Sequence, residues 1–245
     1  TFYVSSAGGG LFKTTNAGTT FRPVFENEHV SSGGMIGIAP SDTNTVYYGT
    51  GEPNSRNSIS PGAGMWKTTN GGRTWEFIGL KETQHIGRVV VDPSNKDIVY
   101  VAALGAAWAT NKERGLYKTV DGGKTWQLKK FINDSTGFVD VALDPRDPRV
   151  VWAASYQRIR GPYYQYSGGK GSALWKSTDA GETFAEVKGG GFPETTKGRI
   201  SITIAASNPD VMYAMVEADT APNPKKDPKV KAQKSPSGLY RSADG

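Results

Sequence analysis

The chain contains no cysteine, so neither a disulfide framework nor a thiolate metal site is open to it. Two histidines are present, His29 and His85, with no His-x-x-x-His spacing, and without carboxylates they cannot make up a usual zinc set. Each reads as a lone polar loop residue, and no metal or other cofactor is expected. No apolar run approaches the roughly 20 residues that a membrane helix needs, and the first residues carry no charged and then apolar leader. A mature exported protein would look the same. A Gly-x-Ser-x-Gly elbow, a phosphate loop and a dinucleotide fingerprint are all missing, as is any long helical periodicity.

What is plentiful points one way. With 31 glycines, 14 prolines and 11% aromatics in 245 residues, the chain fits one large all-β domain of short strands joined by turns. The net charge of +6 suggests nucleic acid until it is located. Lys225, Lys226, Lys229, Lys231 and Lys234, against Asp227, carry most of it in one stretch interleaved with Pro222, Pro224, Pro228 and Pro236. That pattern reads as a solvated loop, and no aromatic stands among the lysines for base stacking, so nucleic acid is not an expected partner.

Near copies of one nine-residue stretch organise the sequence. They are KTTNAGTTF from Lys13, KTTNGGRTW from Lys67, KTVDGGKTW from Lys118 and KSTDAGETF from Lys176, with RSADG from Arg241. Their starting hydroxyl residues, Thr14, Thr68, Thr119, Ser177 and Ser242, are separated by 54, 51, 58 and 65 residues. Self-similarity at this period signals radial repetition of a supersecondary unit. Each copy reads as strand, tight turn, strand: the Asp or Asn accepts bonds from the amides of its own turn, the glycine supplies positive φ, and the ring after the last threonine plugs the gap between neighbouring sheets. Asp121 and Asp179 are therefore fold staples and not catalysts.

The full repeat has four strands. Strand A runs as in Gly87–Val91, strand B as in Ile98–Ala102, strand C enters the turn as in Leu116–Thr119, and strand D starts at the turn's aromatic. In these terms the pattern resembles the Asp-box (BNR-type) repeat proteins. It is most similar to bacterial glycosyl-hydrolase-like and sortilin-like members, and more distantly to the photosystem II assembly-factor propellers. The resemblance implies an all-β fold, a β-propeller of four-stranded antiparallel blades with Asp-box turns. Blades are expected at about 31–83, 84–134 and 135–195, with partial blades at 1–30 and 196–245. Residues 1–245 would then be part of one larger propeller of about seven or more blades, a closed four-bladed ring being the alternative.

Repeat proteins place function in irregular insertions on one face. Here these fall between strands B and C, at Gly51 to Gly64, Ala103 to Gly115, Ser155 to Ala173 and Glu217 to Ser237. The first offers Glu52, Asn54, Arg56 and Asn57 to a polar ligand; in the plainer reading the asparagines satisfy loop backbone and Arg56 pairs with Glu52. The third combines Tyr156, Tyr163, Tyr164 and Tyr166 with Arg158 and Arg160, types that suit a protein interface or sugar stacking. Trp108 is either an exposed platform or the cover of its own loop, and Glu113 and Arg114 beside it read as a solvated pair. On the inner strands Arg88 and Asp140 fall in equivalent registers, with Met35 and Ser201, and suit an inter-blade ion pair or a ligand. Arg199 starts an inner strand slightly out of that register.

The Asp-box relatives include glycosidases, which need two carboxyl groups across the scissile bond. Glu26, Glu28, Glu52, Glu82, Glu113, Asp134, Asp140, Glu194, Glu217 and Asp219 belong to the elaborated face or channel, without an evident pair in sequence. The sialidase-like Phe21-Arg22-Pro23 lies at the end of a repeat turn and is discounted. The expectation is a non-catalytic binding or scaffolding propeller outside the cytoplasm. It is periplasmic, secreted or at the cell surface, is not itself membrane-spanning, and docks a protein such as a subunit or assembly factor of a membrane complex through the B–C loops. The alternative is a carbohydrate-active enzyme, a glycoside hydrolase or sialidase-like, binding polysaccharide on the same face and using Glu52 or Asp140 with another carboxylate.

Overall fold

The computed structural model describes residues 1–219 and 236–244. Its secondary structure is all antiparallel strand apart from one 3-10 turn at Lys81–Thr83. The strands are β1 (Phe2–Ser6), β2 (Gly10–Thr14) and β3 (Arg22–Pro23); β4 (Gly33–Ile38), β5 (Val46–Thr50), β6 (Met65–Thr68) and β7 (Glu76–Phe77); β8 (Ile86–Val91), β9 (Val99–Ala103), β10 (Gly115–Thr119) and β11 (Gln127–Lys130); β12 (Thr136–Leu143), β13 (Val151–Arg160), β14 (Gln165–Ser167), β15 (Ala173–Ser177) and β16 (Ala185–Glu186); and β17 (Lys197–Ile204), β18 (Met212–Ala218) and β19 (Gly238–Ser242). Each group forms one sheet with its strands in sequence order, except that β14 pairs only with β13.

The repeat turns owe their form to three residue types. In the turn after β10, Thr119 Oγ1 donates to Asp121 Oδ1 at 2.7 Å and accepts from Gly123 N at 2.9 Å. Asp121 then accepts from Thr125 N and Thr125 Oγ1 at 2.9 and 2.6 Å. Asp179 does the same at its own turn, while Asn70 accepts from Thr68 Oγ1 and Thr74 N and donates its Nδ2 to Thr74 Oγ1. Gly18, Gly72, Gly123 and Gly181 all have φ between 82° and 93°, where a side chain would be strained. The hydroxyl, carboxyl or carboxamide, and glycine thus close a self-satisfied loop with no buried polar group left over.

The same turns tie each sheet to the next. Lys13, Lys67 and Lys118 reach the fourth-position carbonyls of the following turns, Gly71, Gly122 and Ala180, at 2.7, 3.0 and 2.8 Å. Each ammonium lies 5.2–5.3 Å from the ring of Tyr3, Tyr47 or Tyr100 on the neighbouring strand. The turn aromatics complete the seam: Trp75 Nε1 donates to Val24 O and Trp126 Nε1 to Ile78 O of the preceding sheet, both at 2.7 Å. Between the sheets lie apolar layers such as Tyr47, Met65, Ile86, Val89, Val99 and Val101, all buried.

The first strands of the sheets pack side by side. An added Cβ on Gly37 would stand 2.7 Å from Val89, and one on Gly87 would stand 2.7 Å from the Val139 carbonyl, so glycine here is what lets inner strands approach. One face therefore carries the uniform turns. The opposite ends of the strands carry the long connections.

Candidate functional site

The elaborated face is dominated by one strand and one loop. β13 is ten residues long against five in β5 and β9, so Tyr156, Arg158 and Arg160, expected in a loop, stand on a strand that runs past its sheet and folds back as the β13–β14 hairpin. Residues 156, 158 and 160 alternate onto one side of that strand, which faces the 51–64 loop.

That loop is held by arginines from two other sheets. Arg158, 4% exposed, donates from Nη1 to Pro53 O at 2.8 Å and Ser55 Oγ at 3.1 Å, with its guanidinium 6.0 Å from the Tyr156 ring. Burial lowers its pKa to about 10, so it remains charged at neutral pH. Arg160 Nη2 donates to Asn57 Oδ1, and its guanidinium lies 6.0 Å from the Trp108 ring. Arg199 Nη1, from β17, donates to Asn54 Oδ1 at 2.7 Å. The asparagines therefore receive arginines from distant sheets and do not serve their own backbone. Within the loop Glu52 is buried and accepts from Arg56 Nε at 2.5 and 2.7 Å, which is the plainer of the two readings. Gly51 begins the crossing at φ 88°; a Cβ there would lie 1.8 Å from the Gln84 carbonyl oxygen.

The inner-strand registers are as expected. Arg88 stands opposite Ala102, Asp140 opposite Ala154 and Ser201 opposite Met215. Asp140 Oδ1 lies 3.7 Å from Arg88 Nε and accepts from Val141 N, while Oδ2 accepts from Ser201 Oγ and Ile202 N at 2.9 Å. One buried carboxylate thus joins three sheets and has little capacity left for a ligand.

Glu217 differs. It lies near the end of β18 and accepts from Ser167 Oγ at 2.9–3.0 Å and from Arg199 N at 2.9 Å, with no Lys or Arg ion pair among the described residues. Gly198 makes room for it, since a Cβ there would stand 2.3 Å from Oε2. It lines two adjoining clefts, one of about 310 Å³ with Ser167, Gly168, Lys197 and Asp219, the other of about 700 Å³ with Asn54, Arg199, Ser201, Met215 and Gly238. In the sequence Glu217 is one acid among ten. Its spacing of two residues from Asp219 is shared by Glu26 and Glu28, so no local signal sets it apart.

Three residues are more enclosed than the sequence suggests. Arg114 is no solvated partner of Glu113: it is buried and donates to the carbonyls of Ala106, Ala109 and Asn111 at 2.9–3.0 Å, organising the 104–114 loop around itself. His85 does lie in a loop, as expected, and is wholly buried there. Its Nδ1 donates to Gly105 O at 3.0 Å, which leaves Nε2 bare and without a donor. Tyr156 is buried, with its hydroxyl 2.7 Å from Ser167 Oγ, so it offers no surface. Burial and the positive charge of Arg158 lower the His85 pKa to about 4, Arg114 adding to this and the Gly105 and Ser60 carbonyls opposing it. Trp108, at 43% exposed, is partly covered by Arg160, and Tyr163, Tyr164 and Tyr166 remain open. The lysine cluster at 225–234 lies outside the described residues. No group of three or more His, Asp or Glu suited to a metal occurs among the described residues.

No protein-family model matches the chain. The xyloglucanase Xgh74A of Acetivibrio thermocellus is 27% identical over 204 residues, an alignment covering 74% of this chain and 23% of that protein. The chain thus spans about a quarter of the length of the curated relatives it matches. Among solved structures, a GH74 enzyme of Niastella koreensis superposes with a TM-score of 0.60 at 19% identity, covering 87% of this chain and 31% of that one. An ancestral GH74 enzyme gives 0.62 at 20%, covering 88% and 27%, and the GH74 xyloglucanase of Xanthomonas campestris 0.57 at 14%, covering 99% and 42%. These findings overturn the expectation of a non-catalytic, protein-docking propeller, for the similar proteins are named xyloglucanases. The geometry agrees, because Arg158 and Arg160, the expected docking arginines, hold the molecule's own loop. At these identities the structural likenesses establish the architecture: the chain is built as a β-propeller.

Proposed function

We propose that this chain is part of a carbohydrate-active β-propeller, a glycoside hydrolase acting on a neutral polysaccharide of the xyloglucan kind, with Glu217 as its principal carboxylate. The observation that carries the reading is Glu217 itself: an acid on the elaborated face, beside a cleft, held by one hydroxyl and one amide and with no ion-pair partner among the described residues. Glu52 and Asp140, the other candidates, are engaged by Arg56 and by three sheets. Asp219, just past the end of β18, lines the same cleft and is the second carboxylate at hand for an acid and base pair. The similarity to a xyloglucanase over three quarters of the chain supports the substrate class.

The repeat turns, with hydroxyl, Asp or Asn, and glycine in fixed places, support assignment to the Asp-box type, and the five sheets are read as consecutive blades of a larger propeller. A polysaccharide substrate is met mainly outside the cell, which supports action outside the cytoplasm. No helix among the described residues is long and apolar enough to cross a membrane. The test is hydrolysis of purified xyloglucan by the full-length protein, followed as reducing ends. Glu217→Gln should lower kcat by about 10²-fold or more with KM little changed, as expected for loss of an acid or base. A variant as active as the parent, with an unchanged melting temperature, would remove Glu217 from the mechanism.

A further inference from the structure

The β13–β14 hairpin has two sides, and the site described above uses one of them. Pairing sets Arg158 opposite Ser167, Ile159 opposite Tyr166 and Arg160 opposite Gln165. Strand alternation therefore puts Arg158, Arg160 and Ser167 on the inner side, where they meet the 51–64 loop and Glu217. Tyr164 and Tyr166, two residues apart, share the outer side, and Tyr163 stands at the tip. Their exposures are 51%, 66% and 99%.

These rings are exposed and also held. The Tyr164 and Tyr166 centroids lie 5.1 Å apart with 53° between planes. Gly161 N donates to Tyr164 O at 2.8 Å, and the Tyr164 ring packs over Gly161 so closely that a Cβ there would fall 2.4 Å from it. Beneath, Arg160 is clamped between Asn57 and Trp108. Ordering side chains lowers the entropy cost of a later binding event, yet nothing among the described residues covers these rings.

We propose that Tyr163, Tyr164 and Tyr166 form a stacking platform for a neutral β-linked polysaccharide, a secondary surface site on the side of the hairpin away from the Glu217 cleft. It rests on the carbohydrate reading of the protein. The rings share the outer side with Ile159, which is half-buried opposite Tyr166, and no leucine or methionine stands in the hairpin. A protein interface wants a wide desolvated apolar centre, whereas a row of tyrosine faces with their hydroxyls at the rim suits the C–H faces and hydroxyls of pyranose rings. Arg160, beneath the hairpin tip, is already engaged by Asn57, the Tyr164 carbonyl and Trp108, so it is not held ready for an anionic sugar.

Affinity electrophoresis of the full-length protein through gels containing xyloglucan tests this. Tyr163→Ala/Tyr164→Ala/Tyr166→Ala should raise the dissociation constant at least about tenfold, while the triple Tyr→Phe variant, which keeps the ring faces, should bind within about threefold of the parent. Single Tyr163→Ala, at a fully exposed position, guards against misfolding and should weaken binding measurably. Hydrolysis of short soluble oligosaccharides should be the same in all of these. Retention unchanged in the triple alanine variant overturns the platform even if hydrolysis is observed. Retention lost with the tyrosines in a protein that hydrolyses nothing upholds the platform and removes the enzymatic reading. Absence of binding to any neutral polysaccharide, or preferential tyrosine-dependent capture of a protein, overturns the platform.

Discussion

Lowering the pH from 7 to 5 should destabilise this protein through His85. The residue is fully buried, its Nδ1–H is used by the Gly105 carbonyl, and its bare Nε2 has no donor and lies in the field of Arg158 and Arg114. A proton on Nε2 would add a third buried cation beside Arg158 and Arg114. Unfolded, the imidazole binds a proton near 6.5; folded, at about 4. The folded pKa is depressed, so the unfolded chain binds more protons between these values, and stability falls as the pH drops through that window. At pH 5 the linkage amounts to about 2 kcal/mol, against almost nothing at pH 7. With urea slopes of roughly 1–3 kcal/mol per molar, the unfolding midpoint should move down by on the order of 1 M. Asp121 and Asp179, held well below the ordinary carboxylate range by their own turn amides and hydroxyls, do not confuse the measurement, since what they contribute is lost only at still lower pH. The control is His85→Asn, whose amide nitrogen can still reach Gly105 O but does not titrate. Its midpoint should be lower at pH 7 and nearly flat down to pH 5. An equal slope in parent and variant would refute the reasoning.

Other outcomes follow from the same contacts. Trp126→Phe keeps the ring but strands the Ile78 carbonyl between two sheets, and should cost about 1–2 kcal/mol in urea unfolding. Arg158→Ala removes the anchor of Pro53 and Ser55, and limited proteolysis within 55–58 should accelerate at least about tenfold while the β-sheet circular dichroism is kept. Gly51→Ala forces a Cβ onto the Gln84 carbonyl at positive φ and should lower stability by about 2–3 kcal/mol. Gly161→Ala pushes the Tyr164 ring away, so it should weaken retention in xyloglucan gels with little change in melting temperature.

The turns were legible in the sequence because each is a local circuit. Thr119, Asp121, Gly123 and Thr125 lie within seven residues and satisfy one another, so the spacing of residue types alone implies the geometry. The repeats of that circuit then set the strand order, and even the common register of Arg88, Asp140 and Ser201 could be counted back from the turns. The elaborated face has no such circuit. Arg158 looked like a free interface residue until its partners, 103 and 105 positions away, were brought beside it. Arg114 read as solvated, and nothing marked His85 as buried, because nothing nearby in sequence says that a loop closes over them.

The sequence by itself determined what repeats: the turn chemistry, the all-antiparallel sheets and which end of the strands is uniform. Tertiary structure alone decided which polar residues are engaged and which are open. It made Glu52 and Asp140 internal ties, left Glu217 at a cleft, and turned two sides of one hairpin to opposite uses. The physical reason is range. A hydrogen-bonded turn is settled among neighbours in the chain, whereas the burial of a charge depends on whatever distant segment the packing of sheets lays over it.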